Sequence, residues 1–304
     1  MNASPNTSPG SVAIPADKIL IVTKQSKYEY ERTKFGLTHE QLCAKYSAEH
    51  ANLNGILESH DTQLAVRKAL TARIPARVIS MADLHDPITG YELVISLGGD
   101  NSFIYTTHFI EKTLVAGFNS DPKRSTGALC AWKDIDELVE KLAKSTAHRE
   151  DWTRLEATIN NKPILPATSE YFFGERSRKD MTRHVLEYRG KTIEQKNSGI
   201  IIATGAGSTG WYESAGHYLH PQGNRFPKDA PHAQFIATEP YLYERKNAYN
   251  TGELSVGETL LIHSLNDSDG HASIDSWHDH PFTRGMTAKI TIGQPLRVLT
   301  PSAK

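Results

Sequence analysis

Apolar residues in the first half of the chain gather into short continuous runs, with polar, helix-periodic stretches between them. Residues 18–23, 77–80, 93–97 and 113–119 are such runs, and their length suits strands buried on both faces. Thr38 and Gln41 have the spacing of a capping box, which predicts a helix from Glu40 past Tyr46. A second helical stretch covers residues 61–72 and is broken by Pro75, and a third is expected over 102–114. Over residues 134–145, Ile135, Leu138, Val139 and Leu142 share one face of an amphipathic helix, with Lys and Glu elsewhere. Strand alternating with helix is the sequence sign of a parallel sheet.

The pattern changes near residue 150. Short β-rich runs follow at 155–159, 169–173, 184–188, 200–204, 234–238, 258–263, 271–274 and 287–292, divided by turn signals such as Asn160-Asn161-Lys162 and Arg189-Gly190-Lys191. That spacing predicts an all-β sheet or sandwich, interrupted by a helix over 208–219. The fold class is therefore α/β plus mostly β. A Rossmann-like parallel-sheet domain over residues 17–148 precedes a β-sandwich-like domain over 149–304. Residues 1–16 are rich in Ser, Pro and Asn and carry no Arg or Lys, so they read as a disordered tail rather than a targeting segment.

Composition narrows the partners. Lys and Arg number 34 against 35 Asp and Glu, a formal net charge of -1 in 304 residues. That balance makes no electrostatic case for nucleic acid or a membrane surface. No apolar run approaches the roughly 20 residues a membrane-spanning helix needs. The two cysteines, Cys43 and Cys130, lack metal-ligand spacing, and so few cysteines point to a reducing, cytoplasmic compartment.

Two glycine loops carry the candidate chemistry. The run 93–97 ends in Gly98-Gly99-Asp100-Asn101 with a helix expected beyond, and open α/β sheets present ligand sites at that end of a strand. Paired glycines remove side chains that would hold a phosphate off the backbone amides. Asp100 can accept a proton or help hold a cation, although an ordinary strand-to-helix turn uses the same residues. The second loop, Thr204-Gly205-Ala206-Gly207-Ser208-Thr209-Gly210-Trp211, also leaves a β run and precedes a helix. Its amides and hydroxyls suit a ligand, or it is a flexible connector. One such loop per domain points to a site in the cleft between domains.

In order and separation these segments resemble the NAD kinase family over residues 18–300. That family carries Gly-Gly-Asp-Gly after a strand, then an Asn-Glu pair, then Thr-Gly-Ser-Thr-Ala-Tyr. The counterparts here are Gly98-Gly99-Asp100-Asn101, Ser169-Glu170 and Ala206-Gly207-Ser208-Thr209-Gly210-Trp211. Asn119-Ser120-Asp121-Pro122-Lys123-Arg124-Ser125 and Asn197-Ser198-Gly199 are similar to segments of the branch that holds the mitochondrial NAD kinases of animals.

The resemblance implies transfer of the γ-phosphoryl of ATP to the 2′-hydroxyl of the adenosine ribose of NAD, with Mg²⁺, in a homodimer or larger homo-oligomer. It implies Asp100 as the catalytic residue. It implies Gly98, Gly99, Asn101, Asn119, Ser169, Glu170, Thr204, Gly207, Ser208, Thr209 and Ser214 as nucleotide-binding positions. No metal ligands are assigned among the side chains. Lys123 and Arg124 supply charge near the phosphates or are solvated loop residues.

Four departures fall on ligand-facing positions: Asn101 for Gly, Ser169 for Asn, Gly210-Trp211 for Ala-Tyr, and Asp275-Ser276 for Asp-Gly. Asn101 tolerates a left-handed backbone better than most residues but adds a side chain near the phosphates. These departures leave open a kinase acting on another nucleoside, sugar or lipid hydroxyl, and a non-catalytic nucleotide sensor. His263, His271, His278 and His280, with Asp275 and Asp279, read as a polar hairpin, although a His-x-His spacing on a strand also suits metals. Trp211 and Tyr212 are packing residues or a platform for a base. A carboxylate aimed at a ligand has no packing role, so Asp100→Asn is expected to leave stability unchanged or slightly higher.

Overall fold

The computed structural model describes residues 14–216, 224–241 and 249–302. Most of the expected amino-terminal tail lies outside the described residues, but Ile14 already packs against an interior cluster. Strands β1 (Ile19–Thr23), β2 (Arg77–Ser80), β3 (Leu93–Gly98) and β4 (Leu114–Asn119) lie parallel in the order β2-β1-β3-β4. Every residue of β1, β3 and β4 is buried, as continuous apolar runs require of strands covered on both faces. One face packs Ile21, Ile95 and Ala116 against Leu70 and Leu138; the other packs Val22, Val94 and Val115 against Phe103 and Trp152.

Helices α3 (Leu53–Arg73) and α5 (Ile135–Lys144) cover the first face, and α4 (Asp100–Thr107) covers the second. Helices α1 (Lys27–Phe35) and α2 (His39–Ala48) pack Tyr28, Leu42 and Tyr46 against the start of α3. Thr38 and Gln41 form the expected capping box of α2. Helix α4 stops at Thr107 rather than continuing to 114, because Leu114 opens β4. Helix α1 lies in a Lys-, Tyr- and Glu-rich segment without an apolar stripe; only its Ser26–Glu29 capping box marked it.

Beyond residue 148 the chain adds β5 (His148–Trp152) to this sheet, and the last strand, β18 (Leu296–Thr300), returns to lie between β4 and β5. Strand β18 is parallel to β4 and antiparallel to β5. Both ends of the described chain therefore build the α/β layer.

The intervening strands are β6 (Leu155–Ile159), β7 (Lys162–Pro163), β8 (Glu170–Glu175), β9 (Thr182–Tyr188), β10 (Lys191–Asn197), β11 (Ile200–Ala203), β12 (His232–Ala237), β13 (Thr251–Ser255), β14 (Leu260–Ser264), β15 (Gly270–Ile274), β16 (His278–Pro281) and β17 (Thr287–Ile292). They form two antiparallel six-stranded sheets, β10-β9-β14-β17-β6-β7 and β13-β12-β11-β8-β15-β16. Leu186, Leu260 and Ile290 of one sheet share a core with Tyr171, Ile202 and Phe235 of the other, which is the expected sandwich. Burial alternates along β9, as it does where one face meets solvent. Strands β8 and β11 are buried throughout, because α6 (Trp211–Gly216) covers their outer face with Trp211 and Tyr212. The expected helix over 208–219 is a 3₁₀ turn, Gly207–Thr209, followed by α6. Residues 217–219 of that expectation lie outside the described residues.

Leu296 of β18 is completely buried between the layers. Leu296→Ala should cost about 2–5 kcal/mol in chemical denaturation. A loss below about 1 kcal/mol would mean that the returning strand contributes little.

Candidate active site

Helix α4 begins where β3 ends, and its start differs from those of its neighbours. Ser26, Thr38, Asn52 and Asp134 cap α1, α2, α3 and α5 through their side chains, whereas α4 starts on Gly99 with no side-chain cap. Its first-turn amides carry the positive end of the helix dipole. Neither glycine is required by a left-handed backbone; close approach is the reason for both. A Cβ on Gly98 would come within 2.6 Å of the Ser102 side chain, and one on Gly99 within 3.0 Å of Ser125 Oγ.

Asp100 stands at the first position of α4 and is partly buried. Its carboxylate accepts the N–H groups of Ala128 and Leu129 at 3.0 and 2.8 Å. The expectation that Asp100 has no structural role is therefore corrected: it anchors the loop after β4 to the glycine turn, and Asp100→Asn would set an amide N–H₂ against a backbone donor. Asn101 needs no left-handed tolerance; it lies in the first turn of α4 with its side chain exposed. Asn119 is buried and shapes the same loop, accepting from Asp121 N–H at 3.0 Å and donating to Ser125 O at 3.1 Å. Arg124 pairs with Glu58 and Asp121.

A second cluster forms around Asp275. This carboxylate accepts the N–H groups of Thr168, Ser169 and Glu170 at 2.9, 2.8 and 2.8 Å, and pairs with His108 Nε2 at 2.8 Å. The Ser169 hydroxyl donates to the Glu170 carboxylate. Burial pushes the Glu170 carboxyl up to about 7, and the Asp275 charge adds to that, while the Ser169 bond works against it.

The second glycine loop packs directly on these residues: a Cβ on Gly207 would lie 2.2 Å from Ser169 O. Thr204 is buried and organises the loop. Its Oγ1 donates to Thr168 O at 2.6 Å and accepts from the amides of Ala206 and Gly207 at 3.1 and 3.3 Å. Those two amides thus serve the loop itself. Ser208 is buried as well, and its hydroxyl joins Gly205 O to the amide of Phe226. Ser214 lies on the exposed side of α6. Trp211 stacks on Phe172 at 4.9 Å and Tyr212 is buried, so both are packing residues.

A cavity of about 750 Å³ is lined by Thr126 and Ala128 from the Asp100-anchored segment, His148 and Glu150 of β5, Gly205 and Thr209 from the second loop, and residues 225–229, so the first glycine turn borders it only through the segment that Asp100 anchors. Ala206 also enters the interior cluster that holds Phe103 of α4. A larger cavity, of about 880 Å³, takes no residue from either glycine loop. Sequence reasoning missed Lys24 and Lys228. The Lys24 stem passes 3.3 Å from the position a Cβ would take on Gly98, and Lys228 Nζ donates to Ala128 O at 2.6 Å. Of the His-rich stretch, His271, His278 and His280 lie in the hairpin of β15 and β16, turned at Asp275 and Ser276, whereas His263 lies on β14 and bonds Thr287 and Glu187.

No protein-family model matches the chain. A probable NADH kinase of Oryza sativa subsp. japonica is 25% identical over 254 residues, 72% of this chain and 74% of that one. The NADH kinase of Arabidopsis thaliana is 26% identical over 66% of each chain. The mitochondrial NAD kinase 2 of Xenopus tropicalis is 21% identical over 64% of this chain and 62% of its own length. The fold is shared with two solved structures. An NAD kinase from Archaeoglobus fulgidus in complex with ATP has a TM-score of 0.63 at 15% identity, covering 93% of this chain and 94% of that one. Yeast NADH kinase complexed with NADH has a TM-score of 0.62 at 16% identity, covering 93% and 83%.

Glu170 gives this region a pH signature. Between the ordinary carboxyl value of 4.5 and about 7, the folded chain holds a proton that the unfolded chain has released, so stability falls as pH rises through that window. Glu170→Gln should raise Tm relative to the parent at about pH 8 and leave the two close at about pH 4.5. An equal Tm gap at both values would contradict this titration.

Proposed function

We propose that this chain, which resembles the NAD kinase family in both sequence and fold, is a kinase that transfers the γ-phosphoryl of ATP to the 2′-hydroxyl of the adenosine ribose of NAD or NADH. The observation that carries the proposal is the uncapped start of α4 at the carboxyl end of β3, where Asp100 anchors a segment that lines one cavity together with the second glycine loop. Such a helix start favours an anion, and the cavity volume suits a nucleotide-sized ligand. The relatives are named for both NAD and NADH, so the acceptor is written as either.

In the reaction, the ribose 2′-oxygen bonds to the γ-phosphorus, the bond to the β-bridging oxygen breaks, and ADP leaves. We assign the hydroxyl proton to the Asp100 carboxylate, which the Ala128 and Leu129 amides hold in one orientation. Phosphoryl transfer depends mainly on positioning and charge neutralisation. Mg²⁺ would be carried by the triphosphate, with the Asp100 carboxylate at the start of α4 beside it. Bound there, it would neutralise phosphate charge. Cytoplasmic location and a homo-oligomeric state complete the proposal, the first resting on two free cysteines.

A second reading, another hydroxyl acceptor, is favoured by Ser169, whose hydroxyl is committed to Glu170. A panel of NAD, NADH, nucleosides, sugars and lipid hydroxyls, scored with ATP and Mg²⁺ for ADP release, decides between them. The proposal expects NAD or NADH to lead and NADP(H) to form; preference for another acceptor, or no turnover, contradicts it. Asp100→Asn should lower kcat by at least about 10²-fold. It should also lower stability by about 1–3 kcal/mol, through the unmatched amide. A variant that keeps more than about a tenth of parental turnover counts against the catalytic role.

A further inference from the structure

Residues 224–230 cross the cleft between the two domains and are fixed on both sides. A Cβ on Gly205 would lie 1.9 Å from Pro227 O, and Phe226 N–H donates to Ser208 Oγ at 3.2 Å. Thr153, beyond β5, donates its N–H to Lys228 O at 2.9 Å and its hydroxyl to Ala230 O at 2.6 Å. The backbone of Lys228 is therefore set by contacts to the second glycine loop and to the first sheet's edge. Its side chain then reaches into the cavity.

The Lys228 ammonium sits 4.4 Å from the centre of the Trp152 ring and donates to Ala128 O at 2.6 Å. The N–H of that same residue, Ala128, donates to Asp100. One residue thus links the ammonium to the candidate catalytic carboxylate. Lys24 approaches the same turn from the end of β1, and both ammoniums favour ionisation of Cys130, whose thiol burial and the Asp100 charge push up. Arg225, which also lines the cavity, is paired with Glu213 at 2.8 Å. A triphosphate held at the start of α4 needs cations close by, and a lysine whose ammonium is already held beside an aromatic ring loses less freedom on binding one.

We propose that Lys228 is a phosphate-binding residue of this site, carried by the β domain to a nucleotide held at the glycine turn of the α/β domain. The inference rests on the kinase reading for its ligand class, the polyphosphate of a nucleotide. Nucleotide binding would then tie the Asp100-anchored loop to the second glycine loop through a single side chain.

The test uses the full chain and inorganic tripolyphosphate as the probe, measured by calorimetry for the parent, Lys228→Met and Lys228→Arg, with thermal melts of each. Methionine keeps an unbranched side chain of similar length and removes the charge. It should weaken tripolyphosphate binding by about tenfold or more. Arginine should stay within about threefold, since it restores the charge. Unchanged affinity in Lys228→Met would overturn the proposal, leaving Lys228 as a structural link to Ala128. Absence of binding in the parent would overturn it too, as would weakening in Lys228→Met that Lys228→Arg does not restore. Lys228-dependent tripolyphosphate binding without NADP(H) formation would defeat the kinase reading alone, while turnover with unchanged affinity in Lys228→Met would defeat this one alone.

Discussion

The Asp275 carboxylate has no exposed side-chain surface, yet it is met by four donors: three consecutive backbone amides, 168–170, and the ring of His108. A buried charge is tolerated only when its partners are in place, and removing one of them is expensive. Here the partners come from two layers. His108 follows α4, the helix that starts at Asp100, while residues 168–170 lead into β8 of the sandwich. Thr107 and Thr168 add a buried hydroxyl pair across the same seam at 2.7 Å. The far end of the first glycine turn's helix is thereby fixed against the strand that carries Ser169 and Glu170. Strand β11, paired to β8, then delivers the second loop.

Four glycines of the candidate site are accounted for by what they touch. Gly98 and Gly99 admit Ser102 and Ser125, Gly205 admits the Pro227 carbonyl, and Gly207 admits the Ser169 carbonyl. The second loop and the segment anchored by Asp100 thereby come to line one cavity. The same economy explains why several hydroxyls and amides face inward. Thr204, Ser208 and Asn119 satisfy loop backbone that would otherwise be buried without partners. At the cavity wall this leaves Thr209 and Lys228, with Asp100 one residue away through the Ala128 N–H it accepts.

Much of the architecture was legible in the residues, and the exceptions have physical causes. The runs of Ile, Leu and Val at β1, β3 and β4 announced strands covered on both faces, and the Ile135–Leu142 stripe with Asp134 before it announced α5. Helix α1 escaped because its Lys, Tyr and Glu residues make no apolar stripe. Strand β10 escaped because most of its residues lie at an exposed sheet edge. That β18 rejoins the first sheet is a long-range pairing, which no local pattern encodes. In the candidate site, Gly98, Gly99, Asp100 and the second loop stood out by composition. Lys228 did not, since nothing around it in sequence shows that the turn at 227–230 crosses to Ala128.

The central claim is that the two glycine loops form one nucleotide site. Hydrogen exchange, followed residue by residue with and without ATP and NADH, tests it most directly. Addition of ligand should slow exchange together at residues 99–102, 126–130 and 205–210, with the sandwich core unchanged. Protection confined to one loop, or found only around the larger cavity of Phe109 and Arg154, would contradict a shared site.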